Sequence, residues 1–176
     1  MVRDVLQLGD SRLRKKSEPI RDFAGELEEI KQNLKDTLIS LREKEGLGRA
    51  LAAPQLAHHR RVVFSLAEGE ELLMVNPRIA ARSEKTITVW DSCFSFDLAF
   101  FVKVERSARI EVEFKDECGG ERKKTFSGDL AELYQHELDH LDGVLATDYL
   151  FSQEIEGERI ITREIWESIT ASDNEQ

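Results

Sequence analysis

The sequence predicts an α+β fold in which most strand pairing is antiparallel. Three observations carry that reading. Apolar residues at steps of three and four mark a helix near the start, short β-prone runs fill the middle, and helical spacing returns after residue 129. The chain's 176 residues suit one domain over 1–176, and 40% hydrophobic residues suffice for a core beneath a surface rich in the 34% that are charged.

The segment Asp10–Pro19 is basic and polar and reads as an irregular arm. Phe23, Leu27, Ile30, Leu34, Leu38 and Leu41 then fall on one face of an amphipathic helix, which Gly46 stops. Its role is packing. Strand candidates follow at 61–66 and 72–75, around a polar turn at Glu68-Gly69-Glu70, and at 85–90, 100–104, 110–114 and 123–126. Ile110-Glu111-Val112-Glu113-Phe114 alternates as a half-buried strand should, and Cys118-Gly119-Gly120 reads as a hairpin turn. The next helix begins near Leu130, with Asp129 and Glu132 spaced like the N-cap and third position of a capping box, and runs to about Gly143. A last helix over 152–169 points Ile155, Ile161, Ile165 and Ile169 at the core, and about 170–176 form a frayed tail.

Charge narrows the partners. Twenty-five Lys and Arg against 35 Asp and Glu give a formal charge of -10. Direct nucleic-acid binding and adhesion to anionic lipid are disfavoured, because both draw on clustered positive charge. Met1-Val2-Arg3-Asp4 lacks the apolar core of a secretory signal, and no stretch approaches the roughly 20 apolar residues that span a bilayer. Two cysteines make no disulfide scaffold. The expected compartment is a reducing cytoplasm.

The sharpest chemical motif is His136-Glu137-Leu138-Asp139-His140. Positions i and i+4 of a helix lie one above the other, so both imidazoles can meet one metal ion, with Glu137 close enough to hold a water on it. A surface helix with two solvated histidines is the plainer alternative. Leu133 makes the histidine face partly apolar, which favours a buried site. A catalytic centre needs a third protein ligand. His58 and His59, beside Arg60 and Arg61, read as a solvated loop, and Cys118 as an exposed bystander. Cys93, between two strand-like runs, is by spacing alone equally a ligand or a small apolar residue packed in a sheet.

Three ordered segments together resemble the peptide deformylase family, whose pattern combines a Gly-x-Gly-Leu-Ala-Ala-x-Gln loop, a Glu-Gly-Cys-Leu-Ser strand and a His-Glu-x-x-His helix. The helix motif is intact and continues in the family's manner through Gln135, Leu141, Asp142, Gly143, Val144, Leu145, Asp148 and Tyr149. The strand motif stands as Asp91-Ser92-Cys93-Phe94-Ser95, and the loop as Leu51-Ala52-Ala53-Pro54-Gln55 after Gly48-Arg49-Ala50. The match covers about residues 3–150. Asp91 stands for Glu, Ser92 for Gly, Phe94 for Leu and Ala50 for the loop's second Gly, unless Gly46-Leu47-Gly48 supplies both glycines. Phe96 to Phe101 departs from the family's Ile-Pro-Glu run.

The resemblance implies a deformylase-like fold, with mostly antiparallel sheets around a central metal-binding helix and helices towards both ends. It implies one divalent metal on Cys93, His136 and His140, with Fe(II) as the working ion and Zn(II) or Ni(II) as possible substitutes. Glu137 becomes general base and acid, and the Gln55 side-chain amide and the Phe94 backbone N–H become donors to the carbonyl oxygen as it turns anionic. Gly48, Ala50, Leu51, Glu132 and Leu133 line the substrate cleft. The implied activity removes the formyl group from N-formylmethionyl peptides of nascent proteins. Glu132 falls where the family offers an apolar wall to methionine, so either its carboxylate turns into the cleft or it only caps its own helix. Two alternatives stay open: an amidase of altered substrate, and a metal-binding homologue without turnover, against which the intact Glu137 speaks.

Overall fold

The computed structural model describes residues 1–173. Its centre is a five-stranded antiparallel sheet built from β1 (Ala50–Ala52), β2 (Val62–Ala67), β3 (Glu70–Arg82), β6 (Arg109–Lys115) and β7 (Glu121–Ser127), in the order β1-β2-β3-β6-β7. A second sheet of three strands joins β4 (Thr86–Asp91), β5 (Phe100–Ser107) and β8 (Ile160–Thr162), in the order β4-β5-β8.

Helix α1 (Gly25–Glu45) buries Leu27, Ile30, Leu34 and Leu38, the face that the spacing predicted, and Gly46 closes it with its N–H on the Arg42 carbonyl. Helix α2 (Asp129–Leu141) lies on the opposite side of the large sheet. The pleat of β2 separates the two packing layers: Val62 and Phe64 join the α1 core, whereas Val63 and Ala67 join the α2 core with Leu133, Tyr134, Leu138 and Leu141. A third cluster gathers Leu6, Leu13, Cys93, Phe96, Leu145 and Ala146 around the 92–99 loop. The N-terminal arm staples two loops to each other, since Leu6 N–H donates to the Gln55 carbonyl at 2.8 Å and Leu8 N–H to the Ser95 carbonyl at 2.7 Å.

Several elements differ from expectation. The 72–75 run lies in the first half of a 13-residue strand that continues to Arg82, and β1 and β8, three residues each, carry too little pattern to announce themselves. The helix expected over 152–169 is broken into α3 (Tyr149–Ser152), a connection through Gly157, β8 and α4 (Arg163–Asp173). Ile161 is buried as a β8 residue paired with Phe101, but Ile165 and Ile169 are exposed. The β-branched run Ile160-Ile161-Thr162 finds a sheet edge, which outweighs its helical spacing. Of the expected tail, α4 continues through Asp173, and 174–176 lie outside the described residues. The capping box does not form either. Gly128 is the N-cap of α2, without a side-chain cap, and the Glu132 side chain turns to Arg49.

Candidate metal centre

Helix α2 sets the site's geometry because its buried face runs through Leu133, His136, Glu137 and His140. Residues i and i+4 stack along a helix, and the rings of His136 and His140 meet edge to face, their Nε2 atoms 3.1 Å apart. The third group arrives from a different sheet. β4 ends at Asp91, and the chain turns through a short 3₁₀ segment, Phe94–Phe96, that aims Cys93 Sγ to within 3.2 Å of His140 Nε2. The donor atoms of Cys93, His136 and His140 all lie within 4.8 Å of one another, and all three residues are buried. They are the one such three-residue group of metal-ligating type among the described residues.

Gln55 comes from a third segment, the 3₁₀ turn Ala53–Leu56 that follows β1. Its Oε1 accepts from Ala52 N–H at 2.9 Å, which fixes the amide so that Nε2 faces Cys93 Sγ and Ser95 Oγ, each at 3.2 Å. The three sequence motifs therefore meet in space.

Charged groups behind His136 hold it in place, whereas His140 Nδ1 has no partner among the described residues. Asp91 Oδ1 lies 2.8 Å from His136 Nδ1, an ion-pair contact whose line is bent away from that of a good hydrogen bond. Asp91 Oδ2 accepts from Arg106 Nη2 at 2.7 Å and Nε at 3.2 Å, and Arg106 Nη1 donates to Asp139 Oδ2 at 2.9 Å. Tyr149 OH donates to the same Asp139 oxygen at 2.9 Å. Considering the protein groups alone, burial works to raise the Asp91 pKa, but the charges of His136 and Arg106 outweigh it and hold the carboxyl below the usual range. Burial likewise opposes a charge on His136, yet Asp91 and Cys93 prevail and its pKa stands well above the ordinary value. Burial and the neighbouring His136 push His140 well below. His140 is thus held as a neutral imidazole, the form that ligates metals.

Glu137 is buried beside these ligands, and its Oε2 has no partner among the described residues. Burial is the main cause that raises its pKa to about 7. Such a carboxyl can both take and give a proton near neutrality.

The site opens into a cavity of about 400 Å³. Gly48, Ala50, Glu132, Leu133 and Phe94 line it together with Cys93, His136 and Glu137. Leu51, expected at the cleft, faces the other way; in β1 its neighbours Ala50 and Ala52 join the α2 core, while Leu51 packs towards α1. His58 and His59 stay away from the centre. They are half-buried rather than solvated, His58 Nε2 lying 3.2 Å from Asn33 Nδ2 and His59 Nδ1 having no partner among the described residues. Cys118 is exposed.

Arg49, Asp91 and Arg106 belong to the site's surroundings, and sequence reasoning gave them no role. For Arg106 a signal existed: Val102, Val104 and Arg106 share the inward phase of β5, so a guanidinium sits where alternation calls for an apolar residue. A charge in that phase requires buried counter-charges.

The donor set fits a resident cation. One thiolate sulfur and two imidazole nitrogens converge, with a carboxyl behind one ring, which is the ligand choice of a three-ligand catalytic site for a divalent first-row metal.

Comparison with known proteins agrees with this geometry. A family model described as polypeptide deformylase matches residues 2–156. The peptide deformylase 2 of Clostridium perfringens is 34% identical over 149 residues, covering 84% of this chain and 92% of its own length. A peptide deformylase of Thermus thermophilus is 35% identical over 161 residues, covering 82% of this chain and 80% of its own. Among solved structures, a Legionella pneumophila peptide deformylase superposes with a TM-score of 0.77 at 31% identity, over 85% of this chain and 86% of that one. A Synechococcus elongatus peptide deformylase in complex with actinonin gives 0.77 at 30% identity, over 88% and 79%.

Proposed function

The chain belongs to the polypeptide deformylase family, and from that premise we propose how its residues remove the formyl group from N-formylmethionyl peptides. It is a metal-dependent hydrolase of that class. The observation that carries the assignment of roles is the buried cluster of Cys93, His136 and His140, which reaches through Cys93 and His136 the cavity that Glu137, with its unpartnered carboxylate oxygen, also lines.

Cys93, His136 and His140 are the residues that would hold the ion. When bound, a divalent cation supplies Lewis-acid chemistry, lowering the pKa of water and polarising a carbonyl. Asp91 holds the His136 ring by Nδ1, so that Nε2 faces the other two ligands and would be free for the ion, and Arg106 keeps Asp91 in place. Glu137 accepts a proton as water adds its oxygen to the formyl carbon, then returns it to the amine as the C–N bond breaks, leaving formate and a free N-terminus. The Gln55 amide is fixed by Ala52 and directed at the Cys93 side of the cavity. With the Phe94 N–H it donates to the carbonyl oxygen as negative charge develops there, and losing one such donor typically costs about 2.7–4 kcal/mol of barrier.

The working ion is Fe(II), with Zn(II) and Ni(II) able to occupy the same soft, nitrogen-containing donor set. A ligating thiol has to stay reduced, which supports a cytoplasmic enzyme acting on nascent chains. No helix among the described residues is long and apolar enough to cross a membrane.

Formate release from formyl-Met-Ala by anaerobically prepared protein of known metal content tests this reading. Wild type releases formate, and Glu137→Gln, with its metal retained, loses about 100-fold or more of the rate. A folded, metal-loaded wild type that releases none from formyl-Met-Ala refutes the methionyl substrate, and one that releases none from any formylated dipeptide refutes the deformylase assignment.

A further inference from the structure

We propose that the Arg49–Glu132 ion pair selects the side chain of the formylated residue, favouring one that ends in a hydrogen-bonding group over a thioether. The inference rests on the deformylase reading above and names the substrate class of the same site.

Glu132 lies four residues before His136 on α2, so it faces the cavity about 6 Å further along the helix. A formyl carbon is separated from the α-carbon of the residue it caps by one nitrogen. With that carbon at the metal ligands, the first side chain must enter the cavity whose wall includes Glu132. The Glu132 carboxylate is 12% exposed and accepts from Arg49 Nη2 at 2.9 Å, while Arg49 is 43% exposed. Burial is the main cause that raises the Glu132 pKa, in keeping with a carboxylate already short of water. Asp129 adds a second acid to the lining.

A methionine side chain laid on this wall would take the remaining water from both charges and return no hydrogen bond. Glutamine has nearly the same length. Its terminal amide can donate to Glu132 and accept from Arg49 together. A wall built to be hydrogen-bonded discriminates against the analogue that cannot do so, whereas an apolar wall separates polar and apolar isosteres only weakly.

The test compares formyl-Gln-Ala with formyl-Met-Ala. The kcat/KM for formate release is measured with wild type and with the double variant Arg49→Leu/Glu132→Leu, which removes both charges and strands neither. In parallel, the products Gln-Ala and Met-Ala are titrated against the fluorescence of Trp90 and Trp166, both in the cavity wall. The Gln:Met ratio is expected to fall about tenfold in the double variant by both readouts, and a change below about threefold overturns the proposal. If the leucine pair does not fold, Arg49→Met/Glu132→Met, which likewise leaves no hydrogen-bonding group at either position, replaces it under the same criterion. Should wild type release formate from neither peptide, the deformylase assignment fails, and the dipeptide titration still decides the selectivity.

Discussion

Arg106 and Asp91 form an ion pair, 2.7 Å from Nη2 to Oδ2, with side chains only 3% and 1% exposed. Removing the guanidinium leaves the buried Asp91 with His136 as its one charged neighbour and takes from Asp139 the cation it shares with Asp91. Arg106→Leu is therefore expected to lose about 3–5 kcal/mol of stability, read from the shift of the denaturant midpoint. An unchanged midpoint would mean that the pair is not buried in solution.

Asp91→Asn is gentler, since the amide still reaches Arg106 and the volume is kept. It weakens the hold on the His136 ring, and metal affinity is expected to drop about 10–100-fold with little loss of fold. Competition with a chromogenic chelator measures the affinity. If the affinity is unchanged while the melting temperature falls, Asp91 serves packing alone.

Gly48 stands directly against the Phe94 ring. A β-carbon there would sit 2.1 Å from Phe94 Cζ, and its φ of +107° lies where side chains are strained. Gly48→Ala is expected to cost about 1–3 kcal/mol and to lower kcat by displacing Phe94 from beside Cys93. The double variant Gly48→Ala/Phe94→Ala separates the causes, because it removes the clash and keeps the backbone strain. Recovery of stability relative to the sum of the single changes identifies the clash as the larger part.

Metal loading is expected to raise the melting temperature of wild type and to leave Cys93→Ser nearly unmoved. An ion that binds only the folded chain stabilises it by about 2.7 kcal/mol at 100 times its Kd. The gain should shrink as pH falls, because the thiol and imidazoles must shed protons to bind. Equal gains in wild type and Cys93→Ser would remove Cys93 from the ligand set.

How far the sequence disclosed this site follows from the range of each interaction. His136 and His140 were legible because their meeting is local, one turn of a helix. Cys93 lies 47 positions from His140 in the chain and was undecided by spacing, since no local pattern says which loop will cross which helix. Arg106 and Asp91 stand four positions apart along the β4–β5 ladder, opposite Ile87 and Val102, and meet because the long guanidinium side chain reaches along the shared face; a charged residue in an inward strand phase was their one trace. Glu132 misled for a related reason: its spacing from Asp129 fits a capping box, but a tertiary partner, Arg49, claimed the carboxylate. The large-scale order of helix, strands and helix was readable because periodicity is local, whereas three-residue strands are defined by the neighbour they pair with.

Helix α4 lies beyond residue 156, where the match to the family model ends, yet it reaches the cavity. Trp166 lines the wall and stacks on Phe101, ring centroids 4.4 Å apart and planes within 6°. Arg163 ties the start of the helix to Glu45 at the end of α1, at 3.3 Å. The wall is therefore held in place by α1 as well as by β5. Trp166→Ala is expected to cost about 0.5–1.5 kcal/mol for the lost stack beyond the area it uncovers. Trp166 offers the wall an apolar ring rather than a group that moves protons, so its contact with substrate is expected to be the same before and during reaction. Loss of such uniform binding raises KM and leaves kcat nearly unchanged. Steady-state kinetics on formyl-Met-Ala and on a longer formylated peptide separate the outcomes: a higher KM for both assigns Trp166 to the pocket of the first residue, and a higher KM for the longer peptide alone assigns it to the chain that follows. Unchanged KM for both, with the stability loss as expected, makes the stack a packing contact only.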